Sequence, residues 1–144
     1  VYTKSSAAEE EHATRVREMF ANISARYDLL NHLLSFGTDR RWRYKVARML
    51  GSGRGGSARF LDVACGTGDL ALTLFAVTGA RVIGADFCRP MLERAQAKAA
   101  TGHLAIPFVE GDALQLPFPD ESFDGVTIAF GLRNLASFAG GLKE

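Results

Sequence analysis

Apolar positions follow two rhythms along the chain, and the change between them falls near residue 57. Val16, Met19, Phe20, Ile23 and Tyr27 recur at helical spacing, which predicts an amphipathic helix from Thr14 to about Tyr27. Residues 1–13 read as frayed or solvated. Asp28 to Gly37 holds two leucine pairs and Phe36, more than a solvent loop carries, so it reads as a short helix or ordered loop packed over something. A second helix is expected from Thr38 or Asp39, both cap candidates, to Leu50, with Trp42, Val46, Met49 and Leu50 on one face. Gly51 to Ser57 is rich in glycine and serine and closes this helical section.

Beyond it, short apolar runs alternate with amphipathic ones. Strands are expected at about 58–63, 81–85, 106–109 and 125–130. Helices are expected at 69–78, stopped by Gly79, and at about 89–100, with Pro90 in the first turn and Gly102 past the end. A last helix starts near Ser137. Strands alternating with helices imply parallel pairing through right-handed crossovers. The chain thus divides into an N-terminal helical segment, 1–57, and an α/β core, 58–144.

Composition narrows this only a little. With 144 residues, 47% hydrophobic and 23% charged, the chain is one globular domain or part of one. A net charge of +1 gives no global electrostatic case for a nucleic-acid partner. Cys65 and Cys88 do not form a disulfide framework. With no apolar leader and no run near the roughly 20 apolar residues of a membrane span, the cytoplasm is the expected compartment. The chain opens on Val1 and stops at Glu144 inside an expected helix, so it reads as a piece of a longer protein, truncated at its C-terminus.

The candidate chemistry lies at the strand ends. Asp62-Val63-Ala64-Cys65-Gly66-Thr67-Gly68-Asp69 joins the first strand of the core to a helix, the geometry of a nucleotide crevice. Gly66 and Gly68 allow a tight turn and close approach of a ligand. A dinucleotide loop would continue as G-x-G-x-x-G and offer bare N–H groups to a pyrophosphate. Here Asp69 follows at once and competes for those donors. Its carboxylate, with that of Asp62, better suits the ammonium and sulfonium of S-adenosylmethionine (SAM). The plainer reading of Asp69 is a helix N-cap, worth about 1 kcal/mol. Asp86 ends the second strand, placed to accept from both ribose hydroxyls. Asp112 follows the third strand, where it can accept from the adenine amino group while the N–H of Ala113 donates to the ring. The plainer reading of Asp112 is an Asx turn. Together these strand ends describe a Class I SAM-dependent methyltransferase core, a Rossmann-like α/β sheet.

Two further stretches narrow the resemblance. One comprises Met19-Phe20, Ile23, Tyr27-Asp28-Leu29-Leu30-Asn31, Leu33-Leu34-Ser35, Gly37 and Arg41-Trp42-Arg43. The other runs from Phe123 to Asn134 and contains Phe130-Gly131-Leu132-Arg133-Asn134. In both, and over about residues 16–144, the chain resembles the ubiquinone/menaquinone biosynthesis C-methyltransferases. The segment Asp86 to Leu92 resembles the menaquinone branch more than the ubiquinone branch. The resemblance implies methyl transfer from SAM to a ring carbon of a prenylated quinol, here demethylmenaquinol. It implies SAM contacts at Thr67, Asp86, Asp112 and Ala113, joined by Asp62, Gly66, Gly68 and Phe87. Arg133, Asn134 and Tyr27 become the candidates for handling the quinol oxygen, and no metal site is expected. His32 is set aside as an interfacial histidine. One departure is Ala129, where some members carry a serine.

The run from Arg40 to Lys45 reads as a solvated helix face; a second reading is attraction to anionic lipid head groups, which would bring the chain to the membrane periphery. Family members continue for about another 80–100 residues and pair a fifth strand with the fourth. A chain stopping at Glu144 would leave Val126, Ile128 and Phe130 on an open edge, so a homo-oligomer is expected. Two rivals to an active enzyme are a fragment that binds SAM without turnover and a scaffold subunit on the same fold.

Overall fold

The structure, a computed structural model, describes residues 7–23, 26, 38–53 and 56–144. The elements are α1 (Ala7–Ile23), α2 (Thr38–Gly51), β1 (Arg59–Val63), α3 (Asp69–Thr78), β2 (Arg81–Asp86), α4 (Arg89–Thr101), β3 (Phe108–Glu110), β4 (Gly125–Ile128), a 3-10 turn (Leu132–Asn134) and α5 (Phe138–Lys143). The four strands form one parallel sheet in the order β3-β2-β1-β4. β1 is central, so the loop that follows it opens at the crossover point, where open α/β sheets place ligands.

Two amphipathic groups of side chains hold the layers. Phe60, Leu74, Val82, Leu92, Ala95 and Phe108 are among the residues that bury one face of the sheet under α3 and α4. Leu61, Val63 and Ala85 point to the other face and gather Ala113, Leu116, Phe118, Phe123 and Ile128. The alternation along β1 is what sends Phe60 and Leu61 to opposite sides. Helix α2 belongs to the first group: Ala47 is buried there, with Trp42, Val46 and Leu50 packed against it. The N-terminal segment and the α/β core therefore share one core.

Several boundaries differ from the sequence expectation. Helix α1 starts at Ala7, within the stretch expected to be frayed. Its first half is rich in alanine and glutamate, good helix formers, and Arg15 pairs with Glu11 at 2.6 Å one turn away. Periodicity missed it because no apolar stripe begins before Val16. The helix is described to Ile23, and its expected end near Tyr27 lies outside the described residues. Met49, assigned to the packed face, is 67% exposed. β3 begins two residues late, and β4 ends at Ile128. Helix α4 closes with Gly102 in an ordinary conformation, and His103 takes the left-handed one instead. By contrast, α3 matches its expected range, with left-handed Gly79 donating to the Phe75 carbonyl. Ser137 caps α5 by accepting from the N–H of Gly140 at 3.0 Å. The expected ordered segment 28–37, with His32, lies outside the described residues.

Candidate functional site

A cavity of about 640 Å³ opens over the C-terminal end of β1. That size falls within the roughly 300–1,000 Å³ of small-molecule sites. Its floor is the β1–α3 turn with Asp62, Ala64, Cys65, Gly66 and Thr67; its far wall is Ala129, Phe130, Gly131, Arg133 and Asn134; Met19, Phe20, Ile23, Trp42 and Arg43 close it from the N-terminal side.

The turn is shaped by backbone in the left-handed region: Ala64 has φ 51°, Gly66 55° and Gly68 81°. A Cβ on Gly68 would come within 2.9 Å of Ala95 Cβ and 3.0 Å of Phe108, so this glycine lets α3 start tightly against α4 and β3. A Cβ on Gly131 would fall 2.2 Å from that of Ala64, so the far wall touches the floor through a bare glycine backbone.

Two carboxylates dominate the floor. Asp86 accepts from the N–H of Gly66 at 2.8 Å through Oδ2 and from that of Cys88 at 2.9 Å through Oδ1. Burial raises its pKa above the usual carboxylate value, opposed by the backbone N–H groups of Cys88, Gly66 and Phe87. Asp62 is 1% exposed. Thr127, its register partner on β4, donates to Oδ1 at 2.8 Å. Oδ2 is buried with no hydrogen-bond partner among the described residues. Burial lifts this carboxyl to about 7; Thr127 and the N–H of Ala71 pull it down, and the neighbouring charge of Asp86 pushes it further up. Burial also raises the Cys65 thiol, with Asp62 and Asp86 adding to the effect, so Cys65 stays a neutral wall residue. An orphaned buried carboxylate oxygen beside a second buried acid suits a ligand that brings a positive charge and hydroxyl donors.

Asp69 does not play the part expected of it. Its side chain caps nothing: Gly68 is the N-cap of α3, without a side-chain bond. Its carboxylate meets Arg43 Nη1 at 2.5 Å and Lys98 Nζ at 2.7 Å. Burial alone would raise Asp69, but Lys98 and Arg43 hold it below the usual range. Two cations from α2 and α4 thus neutralise this carboxylate, and the inference from Asp69 to a cationic ligand is corrected. That inference passes to Asp62 and Asp86, which form no ion pair among the described residues.

Asp62, Gly66, Thr67, Asp86, Arg133 and Asn134 line the cavity together. Gly68, Phe87, Asp112 and Ala113 do not. Phe87 follows Asp86 and carries the Arg17 guanidinium 5.3 Å from its ring centre. Asp112 Oδ1 accepts from the N–H of Leu114 at 2.9 Å, the Asx turn of the plainer reading, and Ala113 packs under the sheet. Arg133 makes no ion pair among the described residues; its guanidinium lies 5.7 Å from the centre of Phe130, whose ring meets Trp42 edge to face at 5.6 Å. Tyr27 lies outside the described residues. Sequence reasoning missed the Thr127–Asp62 bond and the Asp69–Lys98 pair. Both depend on register and helix packing; only the Asp39–Arg43 spacing of one helical turn was visible in advance.

Residues 7–144 match the model of the ubiE/COQ5 methyltransferase family. The chain belongs to that family. A demethylmenaquinone methyltransferase of Thermus thermophilus is 53% identical over 127 residues, covering 88% of this chain and 57% of that protein. The ubiquinone/menaquinone biosynthesis C-methyltransferase of Geobacter sulfurreducens is 43% identical over 140 residues, covering 93% and 53%. The chain therefore spans little more than half the length of these relatives. Among solved structures, a chain from the complex of the Haloferax volcanii Trm112 methyltransferase activator superposes with a TM-score of 0.68 at 26% identity, covering 87% of this chain and 53% of that one. A SAM-dependent methyltransferase from Aquifex aeolicus shares the fold, with a TM-score of 0.63 at 23% identity over 71% of this chain and 55% of that one. The fold is thus the Rossmann-like sheet of SAM-dependent methyltransferases, and family membership implies SAM as the methyl donor.

Proposed function

We propose that the protein methylates a ring carbon of a prenylated quinol, converting demethylmenaquinol to menaquinol in menaquinone biosynthesis, and that residues 58–144 hold its donor while 1–57 cover the acceptor. The observation that carries this reading is the pair of buried acids, Asp62 and Asp86, facing one cavity without a cation against either among the described residues. SAM, when bound, supplies an electrophilic methyl group on a sulfonium. Asp62 Oδ2 accepts from the donor's ammonium. Asp86 accepts from the ribose hydroxyls with the lone pairs left over from its two backbone bonds. Gly66 and Thr67 line the approach, and Gly68 keeps the turn tight. Phe87, Asp112 and Ala113, after β2 and β3 and outside the lining of the cavity, would hold the adenine beyond its edge.

Carbon methylation needs an electron-rich ring, so the quinol hydroxyl beside the attacking carbon would give its proton to water. As the carbon takes the methyl group the donor would leave as a neutral thioether, and loss of the ring C–H proton to water would restore the aromatic ring. Arg133 stabilises the phenolate as a fixed cation, being too basic to act as the base itself. Asn134 and Tyr27 hydrogen-bond the same oxygen. Trp42 and Phe130 exclude water from the transfer path.

Two accessory features belong to this reading. Val126 and Phe130, 56% and 54% exposed, lie at the β4 side of the described sheet, and where no further strand pairs with β4 a second copy of the chain covers them. A clean monomer of this chain in light scattering would contradict that. Arg40, Arg41, Lys45 and Arg48 are exposed on α2 and bring the enzyme to anionic lipid. Co-sedimentation with vesicles containing phosphatidylglycerol, and not with phosphatidylcholine alone, is expected. No helix of the described residues is long and apolar enough to cross a membrane.

The decisive experiment has two arms. Calorimetric titration of this chain with SAM is expected to show binding, with NAD as the negative control. Full-length protein is expected to methylate demethylmenaquinol. Preference for the methoxybenzoquinol of the ubiquinone branch, which the name of the Geobacter relative also covers, would move the assignment there. Binding without full-length turnover would sink the enzyme reading.

A further inference from the structure

Helix α2 and the turn after β1 are joined by a continuous chain of charge. Arg43 pairs with the carboxylate of Asp39 and donates through Nε to the Asp39 carbonyl at 3.1 Å. The same guanidinium reaches Asp69 Oδ2 at 2.5 Å. Asp69 Oδ1 accepts from Lys98 Nζ at 2.7 Å, and that ammonium also donates to Thr67 Oγ1 at 3.0 Å. Asp39 and Thr67 are buried, and the Arg43 side chain is only 12% exposed. Two acids and two bases sum to zero, so the set adds no net charge to the cavity.

We propose that Arg43 and Lys98 are positioning residues for the methyl donor, acting through Asp69 and Thr67 to fix the turn that receives it. The inference rests on the reading of this cavity as a SAM site. Its physical basis is strain. Ala64, Gly66 and Gly68 all have left-handed backbone, and Ala64 has no glycine's freedom to adopt it. Such a turn persists only where its surroundings over-determine it. Asp86 holds one end through the N–H of Gly66; the Arg43–Asp69–Lys98–Thr67 chain holds the other. Because Arg43 belongs to α2 and Lys98 to α4, donor affinity is tied to the docking of the N-terminal segment. Removing one member of a half-buried ion-pair chain leaves its partner's charge uncompensated, and that partner moves to find water.

The test uses full-length protein. Arg43→Gln and Lys98→Gln are expected to bind SAM about tenfold more weakly, within the range for residues coupled in one network. KM for SAM should rise while kcat at saturating SAM and KM for the quinol hold. Arg43→Lys should recover part of the loss. Asp69→Asn removes the contacts to Arg43 and Lys98 together, so Arg43→Gln combined with Asp69→Asn should be no worse than Asp69→Asn alone. Arg94→Gln, an exposed position on α4 one turn from Lys98, should match wild type. Additive losses in the double variant, or wild-type SAM affinity in folded Arg43→Gln and Lys98→Gln, would overturn the proposal. Amide exchange at residues 66–70 without ligand supplies an independent readout, expected to quicken in Arg43→Gln. If wild type itself fails to bind SAM, the functional reading falls. Exchange then still decides the strut, and an unchanged rate in Arg43→Gln would remove it.

Discussion

Asparagine in place of Asp62 isolates a single ionisation. The folded carboxyl sits at about 7, raised by burial from an ordinary value of 3.8. In the unfolded chain it returns to the ordinary value. Between those two points the folded protein keeps a proton that the unfolded chain has lost, so stability falls as pH rises through that window and levels off above it. Each tenfold change is about 1.4 kcal/mol, so the full fall is about 4 kcal/mol. Asp62→Asn has nothing to titrate here, and its amide oxygen can still accept from Thr127. Urea unfolding from pH 4 to pH 8 should therefore show the variant gaining on wild type by up to about 4 kcal/mol. Taking the difference removes most of what Asp86 and other shared groups contribute. A flat difference, or one that favours wild type as pH rises, would refute the assignment of a raised Asp62. The same proton reports on the ligand. An ammonium against Oδ2 favours the ionised form, so SAM binding at pH 7 should release about half a proton. Titration enthalpies measured in buffers of different ionisation heat reveal it, and Asp62→Asn should release none and bind more weakly.

Asp86→Asn leaves one acceptor and one donor where two N–H groups converge, so Gly66 or Cys88 loses its partner; urea unfolding should show a loss of about 1–3 kcal/mol, with SAM affinity falling as well. Gly131→Ala forces a Cβ to within 2.2 Å of that of Ala64; about 1–3 kcal/mol of overpacking should appear as a lower Tm. Arg133→Ala in full-length protein should lower kcat about a hundredfold with SAM affinity unchanged, as a lost electrostatic stabiliser of the phenolate does; equal kcat would remove Arg133 from the mechanism.

Much of the architecture was legible because it is written in local chemistry. Helix α3 was bounded by the Gly-Asp entry and by Gly79, whose left-handed φ needs no neighbour to explain it. Ser137 announced α5 for the same reason. Strand–helix alternation carried the parallel sheet, and the cofactor candidates at the ends of β1 and β2 followed from it. The misplaced edges have equally local causes. Helix α1 begins with residues of good propensity but no apolar stripe, and Met49 is apolar yet turned to solvent.

What the sequence determined by itself is the order of elements, the strand ends that face one crevice, and the residue types found there. What only the tertiary structure decided is which carboxylates remain uncompensated. Asp62, Asp69 and Asp86 look alike in sequence. Packing brings Arg43 and Lys98 to Asp69, backbone N–H groups to Asp86, and the Thr127 hydroxyl with the Ala71 N–H to Asp62. Their partners come from elements far away in the chain, and the strength of an electrostatic interaction depends on distance and burial that no spacing of residues encodes. The turn after β1 is the candidate site in either view; the fold leaves Asp62 and Asp86 as its carboxyls without an ion pair among the described residues.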